Sequence, residues 1–149
     1  IEHVLHGEVL PQIGAERLRA VRILLPARTI RAHARVAAQD AAMSVHFTED
    51  AAILWPNTNE SFSVPEFVLA NQEYPGQWKA MVEQVDPLGR FSIARVWSPK
   101  AGAFRAVSFF HWRENKIYRL VEYWGDIETA PPWRQALGLG RPIRPEDFF

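Results

Sequence analysis

The order of the predicted elements indicates an α+β domain. Residues 15–43 place apolar side chains at helical spacing. Residues 78–124 contain runs rich in β-branched and aromatic residues, and short turn sequences separate these runs. A helical part followed by a meander of strands predicts one mostly antiparallel sheet. The chain has 149 residues, of which 48% are hydrophobic, so it can build a single core.

The composition excludes several classes of function. Lysine plus arginine and aspartate plus glutamate number 17 each, so the formal net charge is zero and no nucleic-acid partner is expected. The chain has no cysteine, which excludes disulfides, thiolate metal sites and thiol catalysis. No apolar run approaches the ~20 residues of a membrane span, so no membrane partner is expected. The predicted location is the cytoplasm.

The helical part is expected to divide into two pieces. One apolar stripe runs from Leu18 to Leu25, and a second runs from Ile30 to Ala41. Pro26 lies between them, and proline breaks or kinks a helix because it lacks the backbone donor and clashes with the preceding turn.

The strands begin after this helical part. Residues 45–55 are predicted to form the first strand, which is entered through a turn at residues 48–50. A short helix follows, because Ser63 is a favourable N-cap and Pro65 and Glu66 suit the first helical turn.

Four further strands complete the predicted sheet. They are expected over residues 78–85, 91–97, 104–112 and 116–124. A helical turn is predicted near Pro132, and the tail from Gly138 is expected to be extended.

Two stretches of the sequence resemble a known superfamily. The letters TEDA at residues 48–51, followed by WP at 55–56, are similar to the opening of the first strand in SnoaL-like, nuclear-transport-factor-2-like proteins. The segment 108–124 (SFFHWRENKIYRLVEYW) resembles the closing hairpin of that superfamily. The order and spacing of the two motifs carry the resemblance.

This resemblance implies a cone-shaped α+β roll, in which N-terminal helices pack on the concave face of a strongly curved, mostly antiparallel sheet. It implies a single domain over residues 1–149, with a core at about 28–135. Residues 1–27 would be a helical extension and residues 136–149 an extended tail. Members of the superfamily include ketosteroid isomerases, polyketide cyclases, limonene-epoxide hydrolases and scytalone dehydratases.

Glu122 is the principal candidate for chemistry. Alternation along the last strand places Tyr118, Leu120 and Trp124 on the same face as Glu122. The resemblance puts Glu122 at the position of the water-activating aspartate of the epoxide hydrolases. A carboxylate buried among apolar side chains has a raised pKa, which suits abstraction of a proton next to a carbonyl.

The neighbouring strand can present either of two sets of side chains beside Glu122. A two-residue turn at residues 114–115 would place the odd-numbered residues 107–111 there, and a three-residue turn the even-numbered residues 106–112. We prefer the three-residue turn because the position of Ser108 resembles an inward polar catalytic site in the isomerases and cyclases.

Three further residues are candidates for supporting roles in catalysis. Arg95 alternates onto the predicted inner face and resembles the arginine of the hydrolase acid–arginine–acid set. It is expected either to support catalysis electrostatically or to form an ion pair with Glu122. Ser108 or Tyr118 would donate a hydrogen bond to the substrate.

The resemblance does not select a reaction. Trp97 replaces the second acid of the hydrolase set, and Ile53 and Trp55 replace the tyrosine and asparagine that hold its water, so epoxide hydrolysis is not expected. Ser108 stands where the isomerases have an aspartate donor and the cyclases a histidine.

The remaining predicted pocket residues are apolar and would bind a small apolar molecule. They are Ile53, Trp55, Ile93, Trp97, Phe110, Trp112, Leu120 and Trp124. The histidines lack the spacing of metal ligands, so no metal is expected, and no cofactor is expected either. Three functions stay open: a cofactor-free isomerase, cyclase or dehydratase acting on a carbonyl compound; a non-catalytic ligand-binding module; and a dimeric accessory protein.

The opposite face of the sheet is predicted to form a homodimer. Its expected members are Val107, Phe109, Ile117, Val121 and Tyr123. An apolar face of that size would be unusual on a monomer.

Overall fold

The computed structural model of the chain describes residues 41–148. The helices predicted within residues 15–43 therefore lie almost entirely outside the described residues. The strands are β1 (Phe47–Trp55), β2 (Glu60–Phe62), β3 (Lys79–Val85), β4 (Phe91–Ser98), β5 (Gly102–Arg113) and β6 (Lys116–Asp126). The helices are α1 (Val64–Gln72) and α2 (Pro132–Ala136), with 3-10 helices at Ala41–His46 and Pro145–Phe148.

The six strands form one sheet in the order β2-β1-β6-β5-β4-β3. Among the described strands, β1 and β6 run parallel, and the other neighbours are antiparallel. The predicted α+β class and mostly antiparallel sheet are confirmed. The sequence did not predict β2, because a strand of three residues is too short to show an alternating pattern.

Two local predictions need correction. Residues 48–50 do not form a turn before the first strand, because they lie inside β1, where the register with β6 shifts between Phe47 and Ala52. The tail after Gly138 is not extended throughout, since residues 145–148 form a 3-10 helix. The helical turn predicted near Pro132 is confirmed as α2.

The hairpin of β5 and β6 contains an irregularity that fixes which side chains face inward. Its turn has two residues, since Arg113 pairs with Lys116, and Glu114 takes a positive φ of 54°. The register then shifts by one residue, so that His111 pairs with Arg119 and the residue between Ile117 and Arg119 is left over. Such a β-bulge moves every later side chain to the other face.

Because of this bulge, β5 presents the predicted inward side chains to Glu122, although the predicted three-residue turn is wrong. Beyond the bulge, Ser108 lies opposite Glu122, as expected for the three-residue turn. A two-residue turn without the bulge would have placed Val107 or Phe109 beside Glu122. From the sequence, only the length of the turn was expected to set the register between β5 and β6. In the structure, a bulge within β6 changes that register a second time.

The described core brings together buried residues of α1, β1, β5 and β6, and α1 packs on β1. Phe67 of α1 is fully buried, and its ring meets that of Phe47 edge-on with centroids 5.9 Å apart. Helix α1 starts as predicted: the Glu66 carboxylate accepts hydrogen bonds from the amide (2.8 Å) and the hydroxyl (2.7 Å) of Ser63. The other fully buried members of this core include Met43, Ile53, Ile117 and Leu120.

A buried carboxylate closes the turn between β3 and β4. Asp86 is 4% exposed and accepts hydrogen bonds from the backbone amides of Leu88 (3.2 Å) and Arg90 (3.0 Å). The Arg90 guanidinium donates two more, at 2.8 and 2.9 Å. These hydrogen bonds lower the pKa of Asp86 to about 2, and those from the Arg90 guanidinium have the largest effect.

We expect Asp86→Asn to lower the free energy of unfolding by about 1–3 kcal/mol at pH 7, because the buried group loses its charge and one of its two acceptor oxygens. The folded pKa of Asp86 (about 2) lies below the usual Asp value of about 3.9. Its contribution is therefore complete above that usual value and is lost as the pH falls towards the folded pKa. Urea unfolding of both proteins between pH 2 and 7 measures this difference.

Arg90→Ala is the matched control, because it removes the exposed guanidinium and keeps both backbone donors. It should cost less than Asp86→Asn. A difference between Asp86→Asn and the native protein that stays constant with pH would contradict this account.

Candidate active site

Glu122 of β6 is a buried carboxylate with two hydrogen-bond donors. It is 7% exposed. Its Oε1 accepts a hydrogen bond from the Ser108 hydroxyl at 2.8 Å, and its Oε2 accepts one from Nε1 of Trp55 at 3.0 Å. The donors come from β5 and β1, the two strands that flank β6, so the carboxylate is held from both sides.

The surroundings of Glu122 shift its proton affinity. Burial raises the pKa of the carboxyl, because the charged form loses its hydration, and the hydrogen bonds from Trp55 and Ser108 oppose this in part. A carboxyl group with a raised pKa binds a proton more readily than an exposed one. This arrangement is chemically suited to accept and return a proton.

Aromatic rings fix the position of the Trp55 indole. It packs edge-on against Trp124 with centroids 5.2 Å apart, against Phe62 at 4.6 Å and against Phe67 at 5.9 Å. These contacts come from β6, β2 and α1, so three elements orient the donor of the bond to Glu122.

Asn57, which the sequence places in a loop near the site and which ordinary loop polarity would explain, has a specific role in the structure. Its side-chain nitrogen donates to the Trp124 carbonyl oxygen at 2.9 Å, and its side-chain oxygen accepts from the Trp124 amide at 3.2 Å. The amide group thus pairs with the backbone of β6 as another strand would. It fixes Trp124, which in turn packs on Trp55. An asparagine in a loop gives no sequence signal for such a contact.

The inner face carries a row of polar residues across neighbouring strands. Ser92 of β4 pairs with Ser108 of β5, which pairs with Glu122 of β6. Ser92 and Ser108 are fully buried. The adjacent rows are apolar: on one side Ala94, Ala106 and Trp124, and on the other Phe110, Leu120 and Ile53.

The predicted face of β4 is wrong. Since Ser92 and Ala94 share the face of Ser108, the residues between and beyond them point the other way. Arg95 is exposed, lies opposite Arg105, and its guanidinium sits 5.9 Å from the Trp97 ring centre. The predicted ion pair between Arg95 and Glu122 is therefore not formed, and Ile93 and Trp97 do not line the site.

Side-chain size explains this error. The inward positions of β4, Ser92 and Ala94, carry small side chains, whereas the outward positions Ile93 and Trp97 are large and apolar. Hydrophobicity alone therefore pointed to the wrong face. Small residues fit a crowded inner face as well as large ones do. The small side chain of Ser92 was therefore compatible with an inward position, which was not predicted from the sequence.

Tyr118 also lies away from Glu122. It is the left-over residue of the bulge, and its ring lies 6.1 Å from His111 and 4.9 Å from the Arg113 guanidinium. Both of those β5 residues alternate onto the outer face. The same bulge turns Ile117 inward, where it is fully buried, so Ile117 does not belong to the predicted dimer face.

The remaining predicted lining residues lie on the inner side. Ile53, Phe110 and Leu120 are buried in the core beside the polar row. Trp112 is partly buried and stacks on Phe110 with centroids 6.1 Å apart, while its Nε1 donates to the Gly89 carbonyl at 2.9 Å. Ile53, Phe110 and Leu120 form the apolar row next to Glu122, and Trp112 lies one row further along the hairpin.

Residues 41–148 contain no group of three or more histidine, aspartate or glutamate side chains placed to hold a metal ion. Within the same range, no helix is long and apolar enough to cross a membrane.

The comparisons with known proteins concern the fold. No family model and no curated protein matches the chain. A candidate ketosteroid isomerase from Kribbella flavida DSM 17836 is 20% identical, with a TM-score of 0.66 over 81% of this chain and 91% of that one. An NTF2-like protein of unknown function from Burkholderia xenovorans LB400 is 21% identical, with a TM-score of 0.61 over 79% and 94%.

A candidate SnoaL-like polyketide cyclase from Jannaschia sp. CCS1 is also similar. It is 12% identical, with a TM-score of 0.55 over 70% of this chain and 90% of that one. At these identities the likeness shows the fold alone. It confirms the predicted resemblance: the chain has the nuclear-transport-factor-2-like fold, with a curved, mostly antiparallel sheet.

We expect the stability of the native protein, relative to Glu122→Gln, to fall as the pH rises above about 4.3, the usual Glu pKa. Because the pKa of Glu122 is raised in the folded state, its contribution is complete below that usual value and is lost as the pH rises through the folded one. Urea unfolding of both proteins between pH 4 and 8 measures the trend.

Glu60→Gln serves as the control, because Glu60 is exposed and its substitution also removes one negative charge. A stability difference between the native protein and Glu122→Gln that does not vary with pH would show that burial does not shift this group.

Proposed function

We propose that this chain, with its NTF2-like fold, is a cofactor-free enzyme that moves a proton next to the carbonyl group of a small apolar compound. Glu122 is the general base. The observation that carries the proposal is a buried carboxylate, held by Ser108 and Trp55, that forms no ion pair with a lysine, arginine or histidine of residues 41–148. Isomerisation, cyclisation and dehydration all use such a base.

The hydrogen bonds of Glu122 leave room for the reaction. An ionised carboxylate offers about four acceptor positions, and Ser108 and Trp55 occupy one on each oxygen. A free lone pair can therefore take the proton of a carbon next to the carbonyl. The resulting carboxylic acid can return that proton to another carbon or to a leaving hydroxyl group, so no other proton carrier is needed.

Ser108 takes a different role here from the one predicted. Its hydroxyl has one proton, which it donates to Oε1 of Glu122. It therefore cannot donate to a substrate oxygen at the same time. In this proposal Ser108 and Trp55 are positioning residues that orient the base.

The surroundings of Glu122 favour an uncharged, apolar substrate. The rows on both sides of the polar row are apolar, and a charged group buried there would lose its hydration.

We expect the native protein to exchange deuterium for hydrogen at the carbon next to the carbonyl of small apolar ketones. Glu122→Gln should lower the exchange rate by ~10²–10⁴-fold, the usual contribution of a general base. Proton NMR in deuterated buffer measures the exchange over a panel of such ketones.

Glu60→Gln is the matched control and should exchange as fast as the native protein, because Glu60 is exposed on β2. A native exchange rate that Glu122→Gln retains in full would rule out Glu122 as the base.

A non-catalytic binding module is the second candidate function. It is favoured by the fact that both oxygens of Glu122 already have donors and that three rings fix Trp55. A module of this kind would bind an apolar ketone without exchanging its protons. It would bind equally well after Glu122→Gln, and calorimetry on both proteins distinguishes the two candidates.

We also propose that the outer face of the sheet forms a homodimer, whether the chain is an enzyme or an accessory protein. Phe109 and Tyr123 are 41% and 46% exposed, and their rings meet edge-on with centroids 6.2 Å apart. Phe91 extends this patch onto β4, 6.2 Å from Phe109. The strip covers three neighbouring strands with apolar surface.

Light scattering at micromolar concentration should give twice the chain mass of 17.1 kDa. Phe109→Glu should shift the protein towards the monomer, because it places a charge at the centre of the strip. Leu88→Glu is the control, since Leu88 is similarly exposed, at 55%, but lies in the turn between β3 and β4. A monomeric native protein would contradict the proposal.

A further inference from the structure

The chain continues beyond β6 in a segment that exposes large apolar side chains. We call residues 127–148 the C-terminal arm. The arm is joined to the sheet by the amide of Ile127, which donates to the Ala103 carbonyl at 2.9 Å. Four of its side chains are more than half exposed: Trp133 (64%), Leu137 (63%), Leu139 (60%) and Ile143 (72%).

Beyond Ile127, the arm is held by contacts between its own residues. Arg141 forms an ion pair with Asp147 at 2.7 Å, and the Arg144 amide donates to the same carboxylate at 2.9 Å. The amides of Arg134 and Gln135 donate to the Pro131 carbonyl at the start of α2. These contacts lie within the arm, and they leave its four large apolar side chains exposed.

A groove lies on the outer face next to the start of the arm. It has a volume of about 250 Å³, and Val107, Tyr123 and Ile127 form its apolar wall. Arg105 and Asp126 also line it. Pockets for small-molecule ligands typically begin at ~300 Å³, so this groove fits a single large side chain better than a separate ligand.

We propose that two copies of this chain exchange their C-terminal arms, so that Trp133 of each copy enters the outer groove of the other. This inference rests on the homodimer proposed above and adds the arm to its interface. The groove and the arm lie on the same chain, so one two-fold axis would fill both grooves and close the assembly.

The chemistry of the groove suits an indole. The ring would contact the side chains of Val107, Tyr123 and Ile127, which line the groove. The Arg105 guanidinium, held by Glu83 at 2.8 Å, is placed to pack on the ring. Tryptophan is also among the residues that contribute most to protein–protein interfaces.

The apolar area that the arm and the outer face expose is similar to one side of a protein–protein interface. The four arm side chains, together with Phe109, Tyr123 and Ile127, expose on the order of 700 Å² of largely apolar surface. A standard interface takes ~800 Å² from each partner, so the summed area of the arm and the outer face is close to that of one side of an interface. A second copy that covers the arm and the outer face accounts for both surfaces.

Cross-linking between two single-cysteine proteins tests the exchange. The chain has no cysteine of its own. Gly125→Cys places a thiol in the lining of the groove, where an added Cβ meets no atom within 4 Å. Arg134→Cys places a thiol beside Trp133. In a mixture of the two proteins, a short bifunctional thiol reagent should join the two introduced thiols. Because each chain carries only one of them, a peptide that links both positions can form only between chains.

Trp133→Ala in the same Arg134→Cys chain should lower the yield of the linked peptide at least about tenfold, the effect of an interface hot spot. In light scattering, Trp133→Ala alone should raise the dissociation constant of the dimer by a similar factor. Leu88→Ala should leave both unchanged, because Leu88 is exposed but lies on neither surface.

The outcomes separate this proposal from the homodimer itself. A native dimer whose dissociation constant is unaffected by Trp133→Ala, or in which the introduced thiols are not joined, would overturn the arm exchange and leave the outer-face dimer standing. A native monomer would overturn both, and neither result bears on Glu122 as a base.

Discussion

The site depends on the burial of one carboxylate. Water would normally hydrate Glu122, and within residues 41–148 the Ser108 hydroxyl and the Trp55 indole take its place. An ionised group buried with so few donors costs free energy, so the surrounding strands must hold both donors in place. The rings around Trp55 and the pairing of Asn57 with Trp124 serve this requirement. Stability and chemistry therefore oppose one another at Glu122.

A single extra residue in β6 determines which chemistry the sheet can present. The turn at residues 114–115 sets one register, and the bulge at Tyr118 changes it before the strand reaches Glu122. Without the bulge, large apolar side chains would surround the carboxylate and no hydroxyl from β5 could reach it. The same bulge turns Ile117 into the core. One backbone irregularity thus sets both the polar row and the packing at the start of β6.

The two faces of the sheet have different physical characters. The inner face combines a buried polar row with apolar neighbours, which suits a small uncharged molecule. The outer face combines exposed rings with arginines, and an open groove lies where the chain leaves the sheet. Interfaces between proteins share this mixture of aromatic residues and arginine. Since β5 and β6 contribute side chains to both faces, association through the outer face would also support the strands that hold Glu122.

The sequence alone determined the α+β class, the five longer strands, the start of α1 and the place of Glu122 on β6, because alternation and capping are local properties. Alternation left two registers open for β5, and the resemblance to the isomerases and cyclases favoured the one that puts Ser108 beside Glu122, although by way of the wrong turn. Only the tertiary structure decided that Trp55, 67 residues away, is the second donor, that Asn57 pairs with Trp124, and that Arg95 points outward. Alternation separates the two faces of each strand but does not say which face is buried. That choice depends on the register between strands, which bulges and distant contacts set.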